Sequence, residues 1–215
     1  MRTYTQDGAL VLADISGYTA FVTATELEHG SQIIAALLES VMHRLSPPLE
    51  IQEVEGDAIF ALGPDGVVAP PARLLDVLDE AFAAFKARQR EMQADASCSC
   101  GACRGVADLD LKIVAHHGRF LRQLVGGRRQ VAGVDVILAH RLLKNGVTRE
   151  RAYLLLTEAA LRWLGLDPDR ARWSAHVERY EHLGDVRCFL RRLAEPARDV
   201  PDPCRPYFAP VNAKS

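Results

Sequence analysis

Two aspartates stand where hydrophobic segments of the sequence end. Asp14 follows the apolar run 9–13, and Asp57 lies in a Gly-Asp turn between two β-type segments. Hard divalent cations such as Mg²⁺ bind carboxylate oxygens together with substrate phosphates. Backbone amides at Gly17, and at the start of a helix near Tyr18, would bind phosphate beside such a cation. If the two strands are neighbours, these residues predict a shared metal and phosphate site.

Each aspartate alone also has an ordinary structural interpretation. Asp14 could cap a helix, and Asp57 could serve only as a turn residue. Their coincidence with a third motif further along the chain favours metal ligation.

Hydrophobic periodicity predicts the elements that position these aspartates. The run 9–13 predicts a strand buried on both faces. Apolar residues at helical spacing predict an amphipathic helix that ends before Pro47. Segments 49–54 and 58–62 predict two strands joined by the turn that carries Asp57. A second amphipathic helix follows.

The rest of the chain completes a β-α-β-β-α-β order with added elements. It predicts a strand at 109–116, a hairpin around Gly126 and a helix after Gly133. The fold class is therefore α+β, a ferredoxin-like domain whose mainly antiparallel sheet has helices packed on it. We expect this domain at 1–195, a cysteine-bearing insertion loop at 93–106 and a Pro-rich C-terminal arm at 196–215.

Composition gives no general reason for binding to nucleic acid or membranes. Lys and Arg total 26 against 28 Asp and Glu, so the formal net charge is -2. The sequence has no apolar run of about 18 residues and no secretory leader pattern. We therefore expect a cytoplasmic protein whose partners include neither nucleic acid nor a membrane.

The cysteines suggest a second site. Their number, five, is odd, and Cys98, Cys100 and Cys103 are clustered, which does not suit a simple disulfide framework. Three thiolates at this spacing could bind one Zn²⁺, which then needs a fourth ligand from elsewhere. The candidates for that ligand are His116, His117 and Cys188. The alternative is a set of thiols, or a redox pair, on a surface loop.

Three motifs, in the same order, resemble those of the class III adenylyl and guanylyl cyclases. Segment 13–21 (ADISGYTAF) resembles the first metal motif of that family, and 55–60 (EGDAIF) resembles the second. Segment 133–142 (GVDVILAHRL) is similar to the family's third motif, a helix. The likeness extends from Leu10 to Leu193 and is greatest to an uncharacterised, partly degenerate bacterial branch. That branch also has the cysteine cluster and a run like 26–29 (ELEH).

This resemblance implies a homodimer that converts a purine nucleoside triphosphate into a cyclic nucleotide and pyrophosphate. It implies that Asp14 and Asp57, with Ile15, bind Mg²⁺ or Mn²⁺, and that Arg141 steadies charge on the phosphates. The substrate-binding residues that it implies are Ile15, Ser16, Gly17, Tyr18, Thr19, Phe21 and Gly56.

The sequence departs from the family pattern at several positions. Ile137 replaces the asparagine that orients the ribose and offers no hydrogen bond. The family's lysine near the C-terminal hairpin has no clear counterpart in 182–187. Glu53 resembles the base-selecting residue of guanylyl cyclases, whereas its partner position, Gln130, matches neither usual choice.

Three hypotheses follow from these matches and departures. The chain is an active purine nucleotide cyclase, or a degenerate homologue that binds nucleotide and metal as a sensor or interaction module. In the third hypothesis, the fold serves assembly alone.

Overall fold

The structure of the chain is a computed structural model that describes residues 4–94, 100–169 and 173–194. The predicted C-terminal arm, 196–215, lies outside these residues, and so does Cys98. The described helices and strands, in chain order, are β1 (Tyr4–Ser16), α1 (Tyr18–Ala24), α2 (Leu27–Leu45), β2 (Glu50–Glu55), β3 (Ala58–Pro64), α3 (Arg73–Ala94), α4 (Gly101–Gly105), β4 (Asp110–Val125), β5 (Arg128–Ala132), α5 (Val134–Leu143), β6 (Tyr153–Thr157), α6 (Glu158–Trp163), β7 (Ser174–Tyr180) and β8 (Gly184–Arg192).

One mixed sheet contains all the strands of the described residues. Its order is β2-β3-β1-β4-β6-β8-β7, and β5 forms a hairpin with β4. Neighbouring strands are antiparallel except β4 and β6, which are parallel. The register places Asp14 opposite Ala58 on β3 and opposite Lys112 on β4. Strand β1, which we call the central strand because β3 and β4 lie on either side of it, therefore places Asp14 between these two neighbours.

The two faces of the sheet carry different helices. Alternate residues of β1 point to opposite faces, because side chains alternate along a strand. Val11 and Ile15 belong to the larger core, which includes the apolar residues of α2 and α3. Leu10 and Leu12 belong to a smaller core formed with α5. Asp14 has the same alternation as Leu10 and Leu12, so its side chain lies on the α5 face.

The predicted α+β fold, with a mainly antiparallel sheet and packed helices, is confirmed. The described part of the segment expected to be a loop, 93–106, is largely helical. Helix α3 continues to Ala94, α4 spans Gly101–Gly105, and a 3-10 turn follows at Val106–Asp108. In residues 4–94, 100–169 and 173–194, none of the helices combines the length and the hydrophobicity needed to cross a bilayer.

Candidate functional site

The two aspartates of the predicted metal site converge. Asp14 lies near the end of β1, and Asp57 occupies the turn between β2 and β3. The Ile15 N–H donates to the Asp57 carbonyl oxygen at 3.1 Å, which fixes the turn against the central strand. The Asp14 carboxyl is close enough to Asp57 to influence its ionisation. With Lys112, these two aspartates form what we call the carboxylate corner.

The carboxylate corner carries unfavourable negative charge. Burial, and then the neighbouring charge of Asp14, raise the pKa of Asp57 to about 6. The Lys112 ammonium opposes this shift in the pKa but does not cancel it. Two carboxylates that repel each other are stabilised by a proton or by a cation. These residues could therefore hold a cation at neutral pH.

Lys112 is a site residue that sequence reasoning missed. Its Nζ lies 2.8 Å from Asp14 Oδ2, and both side chains are largely buried. Sequence distance hid this pair, because 98 positions separate the two residues in the chain. The signal that could have found it is the strand register, which places Lys112 directly opposite Asp14.

The segment after Asp14 turns the chain from β1 into α1. Gly17 has φ +92°, a left-handed conformation that suits glycine, and a Cβ there would also collide with the Arg151 guanidinium. The Ser16 hydroxyl donates to the Arg151 carbonyl at 2.8 Å. The backbone conformation of Gly17 therefore sets the direction of this turn, and the Ser16 hydroxyl anchors the turn to the Arg151 backbone.

The remaining residues of the first motif divide between core and surface. The side chains of Ile15 and Phe21 are 1% and 5% exposed and pack in the larger core. They support the turn but do not face open solvent. Tyr18 and Gly56 line a largely apolar cavity of about 440 Å³ beneath α2, and Thr19 is exposed. The first and second motifs thus meet at one cavity.

The third motif lies on α5 with its two notable residues facing outward. Val136, Ala139 and Leu142 attach the helix to the sheet. Ile137 is 54% exposed, and Arg141 is also exposed. In the part of the chain that the structure describes, no hydrogen bond or ion pair joins Arg141 to either aspartate. One chain alone therefore does not bring Arg141 into the carboxylate corner.

The two predicted base-selecting residues lie near the β2 edge of the sheet and on the β4–β5 hairpin. Gln130 lines a cavity of about 210 Å³ together with Gln52 and Arg122. Glu53 is exposed on β2, next to a bulge between Ile51 and Glu53, and is not among the residues that line this cavity. The structure thus places both residues on exposed strands without joining them in one cavity.

The prediction for the cysteine cluster needs a correction. His116, His117 and Cys188 lie elsewhere: His116 contacts Thr157 and Asp135, His117 stacks on Trp163, and Cys188 is a buried residue of β8. The residue beside Cys100 and Cys103 is instead His29, on α2. It comes from the run 26–29, to which the sequence alone assigned no role.

Comparison with solved structures shows the same fold at low sequence identity. The guanylyl cyclase Cya2 aligns with a TM-score of 0.70 and 16% identity, over 92% of this chain and 98% of that chain. The adenylyl cyclase CyaB from P. aeruginosa gives 0.63 and 14%, over 94% and 100%. The guanylate cyclase domain of RhGC from Catenaria anguillulae, in complex with GTP, gives 0.63 and 12%, over 88% and 97%. The resemblance to class III nucleotidyl cyclases is therefore confirmed for the fold.

Two sequence comparisons give a closer relationship. An uncharacterized protein of Mycobacterium tuberculosis, Rv2561/Rv2562, is 34% identical over 131 residues. The match covers 61% of this chain and 60% of that protein, so the chain spans less than two thirds of the relative's length. A family model described as "Protein of unknown function (DUF2652)" matches residues 34–152, more than half of the 215 residues. The chain belongs to this DUF2652 family.

Proposed function

We propose that this protein is a divalent-metal-dependent cyclase that converts a purine nucleoside triphosphate into a cyclic nucleotide and pyrophosphate. The observation that carries the proposal is the convergence of Asp14 and Asp57 at the end of the central strand. Burial and the neighbouring charge of Asp14 together raise the pKa of Asp57, and a bound cation would offset both effects. A fold shared with guanylyl and adenylyl cyclases supports the same reaction.

The residues of the carboxylate corner suit Mg²⁺ or Mn²⁺. Asp14 and Asp57 offer hard carboxylate oxygens, and the Ile15 carbonyl is available as a further oxygen ligand beside them. A divalent cation here would lower the pKa of the attacking 3′-hydroxyl and neutralise charge on the triphosphate. The turn at Ser16 and Gly17 would present backbone amides to the phosphates. Lys112, already at the corner, would supply a point charge to the same phosphates.

The second half of the site would come from another copy of the chain. Arg141 faces outward on α5, and Val134 and Ile137 on the same helix are 65% and 54% exposed. A head-to-tail homodimer would cover these apolar side chains and bring the partner's α5 to the carboxylate corner. Arg141 would then donate to the phosphates, where its planar fork of N–H groups matches paired oxygens.

A guanine nucleotide is the favoured substrate in this proposal. Glu53, if it meets the base, would accept from the N1–H and the amino group of guanine, whereas adenine has no donor at N1. The GTP complex of the RhGC domain is consistent with such a substrate in this fold. Replacement of Glu53 by Lys should then lower the preference for GTP over ATP.

A second candidate function is a non-catalytic nucleotide sensor. Two observations favour it: Ile137 stands where the family has a ribose-orienting asparagine, and the Lys112 ammonium already contacts Asp14 at 2.8 Å. In this alternative, the same corner binds metal and triphosphate without turnover, and the occupied state alters an interaction with another protein.

Turnover assays with matched variants would separate these functions. Wild-type protein, Asp14→Asn and Asp57→Asn would each be incubated with GTP or ATP and Mn²⁺, and cyclic product would be measured by mass spectrometry. Asp76→Asn, an exposed change on α3, is the control for loss of one carboxylate. We expect cyclic product from the wild type and the control, and at least about a 100-fold loss in both site variants.

Calorimetry with the same proteins completes the test. Metal-dependent triphosphate binding without cyclic product would reject the cyclase activity and support the sensor function. Absence of both product and binding in the wild type would reject both functions and leave a role in assembly.

A further inference from the structure

A second cluster of potential metal ligands lies where α4 meets the start of α2. One imidazole nitrogen of His29 and the sulfurs of Cys100 and Cys103 all lie within 4.8 Å of one another. The three side chains are partly buried. We propose that His29, Cys100 and Cys103 bind a structural Zn²⁺. This site does not depend on the proposed cyclase activity.

The distances fit a zinc ion bound through His29 Nδ1. Zinc bonds of about 2.3 Å to sulfur and about 2.0–2.1 Å to nitrogen, in a tetrahedron, place sulfur and nitrogen about 3.6 Å apart. Cys100 Sγ lies 3.2 Å from His29 Nδ1, and Cys103 Sγ lies 4.0 Å from the same atom. These two distances bracket the required separation, so shifts of a few tenths of an ångström would complete the geometry.

The ligand chemistry selects zinc over the cations expected at the carboxylate corner. Thiolate and imidazole are the ligands that Zn²⁺ prefers in structural sites, whereas Mg²⁺ and Mn²⁺ prefer oxygen. Three protein ligands leave a fourth tetrahedral position for a water molecule or for a further side chain. The carboxylate of Glu26 interacts with Cys100 and is a candidate for that position.

Local structure holds the ligands in place from both sides. Cys100 and Cys103 bracket the first turn of α4, where the Cys103 N–H donates to Cys100 Sγ at 3.4 Å. Glu26, the residue before α2, accepts from the backbone N–H groups of Gly101 and Ala102, each at 3.4 Å. This contact fixes α4 beside His29, which lies in the first turn of α2.

Glycines allow the two segments to approach closely enough for a shared ligand site. A Cβ on Gly101 would lie 3.1 Å from the Ala24 carbonyl oxygen, and one on Gly105 would lie 3.3 Å from the Phe21 ring. Helix α4 therefore packs directly on α1 and on the turn into α2. Zinc would tie this packing together and, through α1, steady the turn that leads from Asp14.

The experiment measures zinc in protein purified with a thiol reductant from zinc-supplemented cells. We expect about one zinc per chain, and a chelator should lower the midpoint of thermal unfolding by about 5 °C or more. Loss of a residue that only hydrogen-bonds to a metal ligand lowers metal affinity by about 10–100-fold. Cys103→Ser and His29→Gln each remove a ligand itself, so each should lower zinc affinity by more than this. The matched controls are Cys188→Ala, a thiol outside the cluster, and His43→Asn, a histidine near the other end of α2; both should keep the zinc.

A second measurement on the wild type keeps the proposal testable if a ligand variant fails to fold. Zinc should protect Cys100 and Cys103 from alkylation, as read by peptide mass spectrometry, and removal of the ion should expose both. Wild-type protein without zinc would overturn the proposal. So would zinc retention in both ligand variants, or a disulfide between Cys100 and Cys103 in the reduced preparation.

Discussion

The carboxylate corner and the histidine network at the far side of β4 handle buried polar groups in opposite ways. In the network, which we call the histidine clamp, His116 Nδ1 lies 2.8 Å from Thr157 Oγ1, and His116 Nε2 lies 3.1 Å from Asp135 Oδ1. The other Asp135 oxygen accepts from the Arg119 N–H at 2.7 Å. Every member of the clamp has a partner, so the clamp holds α5 and α6 to the sheet.

The carboxylate corner lacks that balance. Two acids and one ammonium share it, and the pKa of Asp57 is raised because its charge is partly buried beside Asp14. In the clamp, burial lowers the pKa of His116, which keeps the imidazole neutral at pH 7. A polar network whose members all have hydrogen-bond partners stabilises a fold. Two carboxylates held close together instead favour binding of a cation. The clamp therefore stabilises the fold, and the corner is where the proposed chemistry would take place.

The largest expected effect comes from breaking the clamp at Gly118. A Cβ at this position would lie 2.4 Å from Asp135 Cγ and 2.7 Å from Asp135 Cβ. Gly118→Ala should therefore displace Asp135 and leave His116 and the Arg119 N–H without their acceptor. We expect a loss of about 2–4 kcal/mol in the free energy of unfolding, measured in urea.

The control for this change is Gly146→Ala, whose added Cβ would meet its nearest atom at 3.4 Å, an ordinary contact. A double-mutant cycle sharpens the assignment. In the background of Asp135→Ala, the Gly118→Ala change should cost little, since the colliding side chain is gone. Full additivity of the two costs would contradict the clamp.

The second-largest expected effect is a gain in the free energy of unfolding when a charge is removed from the carboxylate corner. With a folded-state pKa near 6 against 3.8 for the free side chain, the folded chain binds more protons between these values. Stability should therefore fall as pH rises from about 4 to about 6 and stay low above this window. Asp57→Asn removes the charge and should stabilise the protein at pH 7.5 by about 1 kcal/mol, a figure discounted for solvent screening of a half-buried carboxyl.

Urea unfolding at pH 4.5 and pH 7.5, without added Mg²⁺ or Mn²⁺, measures this effect. Asp76→Asn should show no comparable gain at either pH. A destabilised Asp57→Asn at pH 7.5 would mean that the ionised carboxylate stabilises the fold, and the contrast between corner and clamp would fail.

Sequence patterns predicted the parts of the molecule that depend on local order. The apolar run before Asp14 and the Gly-Asp turn at Asp57 each lie within a few residues, so their strands and turn could be read directly. The two aspartates are neighbours because Asp14 pairs with Ala58, the residue after Asp57, on the adjacent strand; their role as metal ligands stays a prediction.

Partners that depend on long-range register could not be predicted in this way. Lys112 reaches Asp14 because β4 pairs with β1 at one register, and a shift by one residue would turn the lysine to the other face. His29 reaches Cys100 across 71 positions because α4 packs on the start of α2. The sequence indicated the cysteine cluster, but the predicted fourth ligands were His116, His117 and Cys188. His29 was missed because no local pattern indicates how two distant helices pack against each other.

The smallest expected effect concerns Lys112. Lys112→Met removes the ammonium 2.8 Å from Asp14 Oδ2 and leaves two carboxylates without their cation. Stability without added metal should fall by about 0.5–1 kcal/mol, because the side chains of Lys112 and Asp14 keep 22% and 15% exposure and solvent screens part of their attraction. Without the Lys112 ammonium, the affinity for Mn²⁺ should rise by a few-fold, and Mn²⁺ should raise the midpoint of thermal unfolding by more than it does in the wild type.

Lys86→Met is the matched control, because Lys86 forms an ion pair of similar length, 2.9 Å, with Asp110. It should lower stability without changing the response to Mn²⁺, because that pair lies outside the carboxylate corner. If Lys112→Met instead weakens Mn²⁺ binding, the lysine is part of the structure that orders the two aspartates, and the corner is less frustrated than its charges indicate.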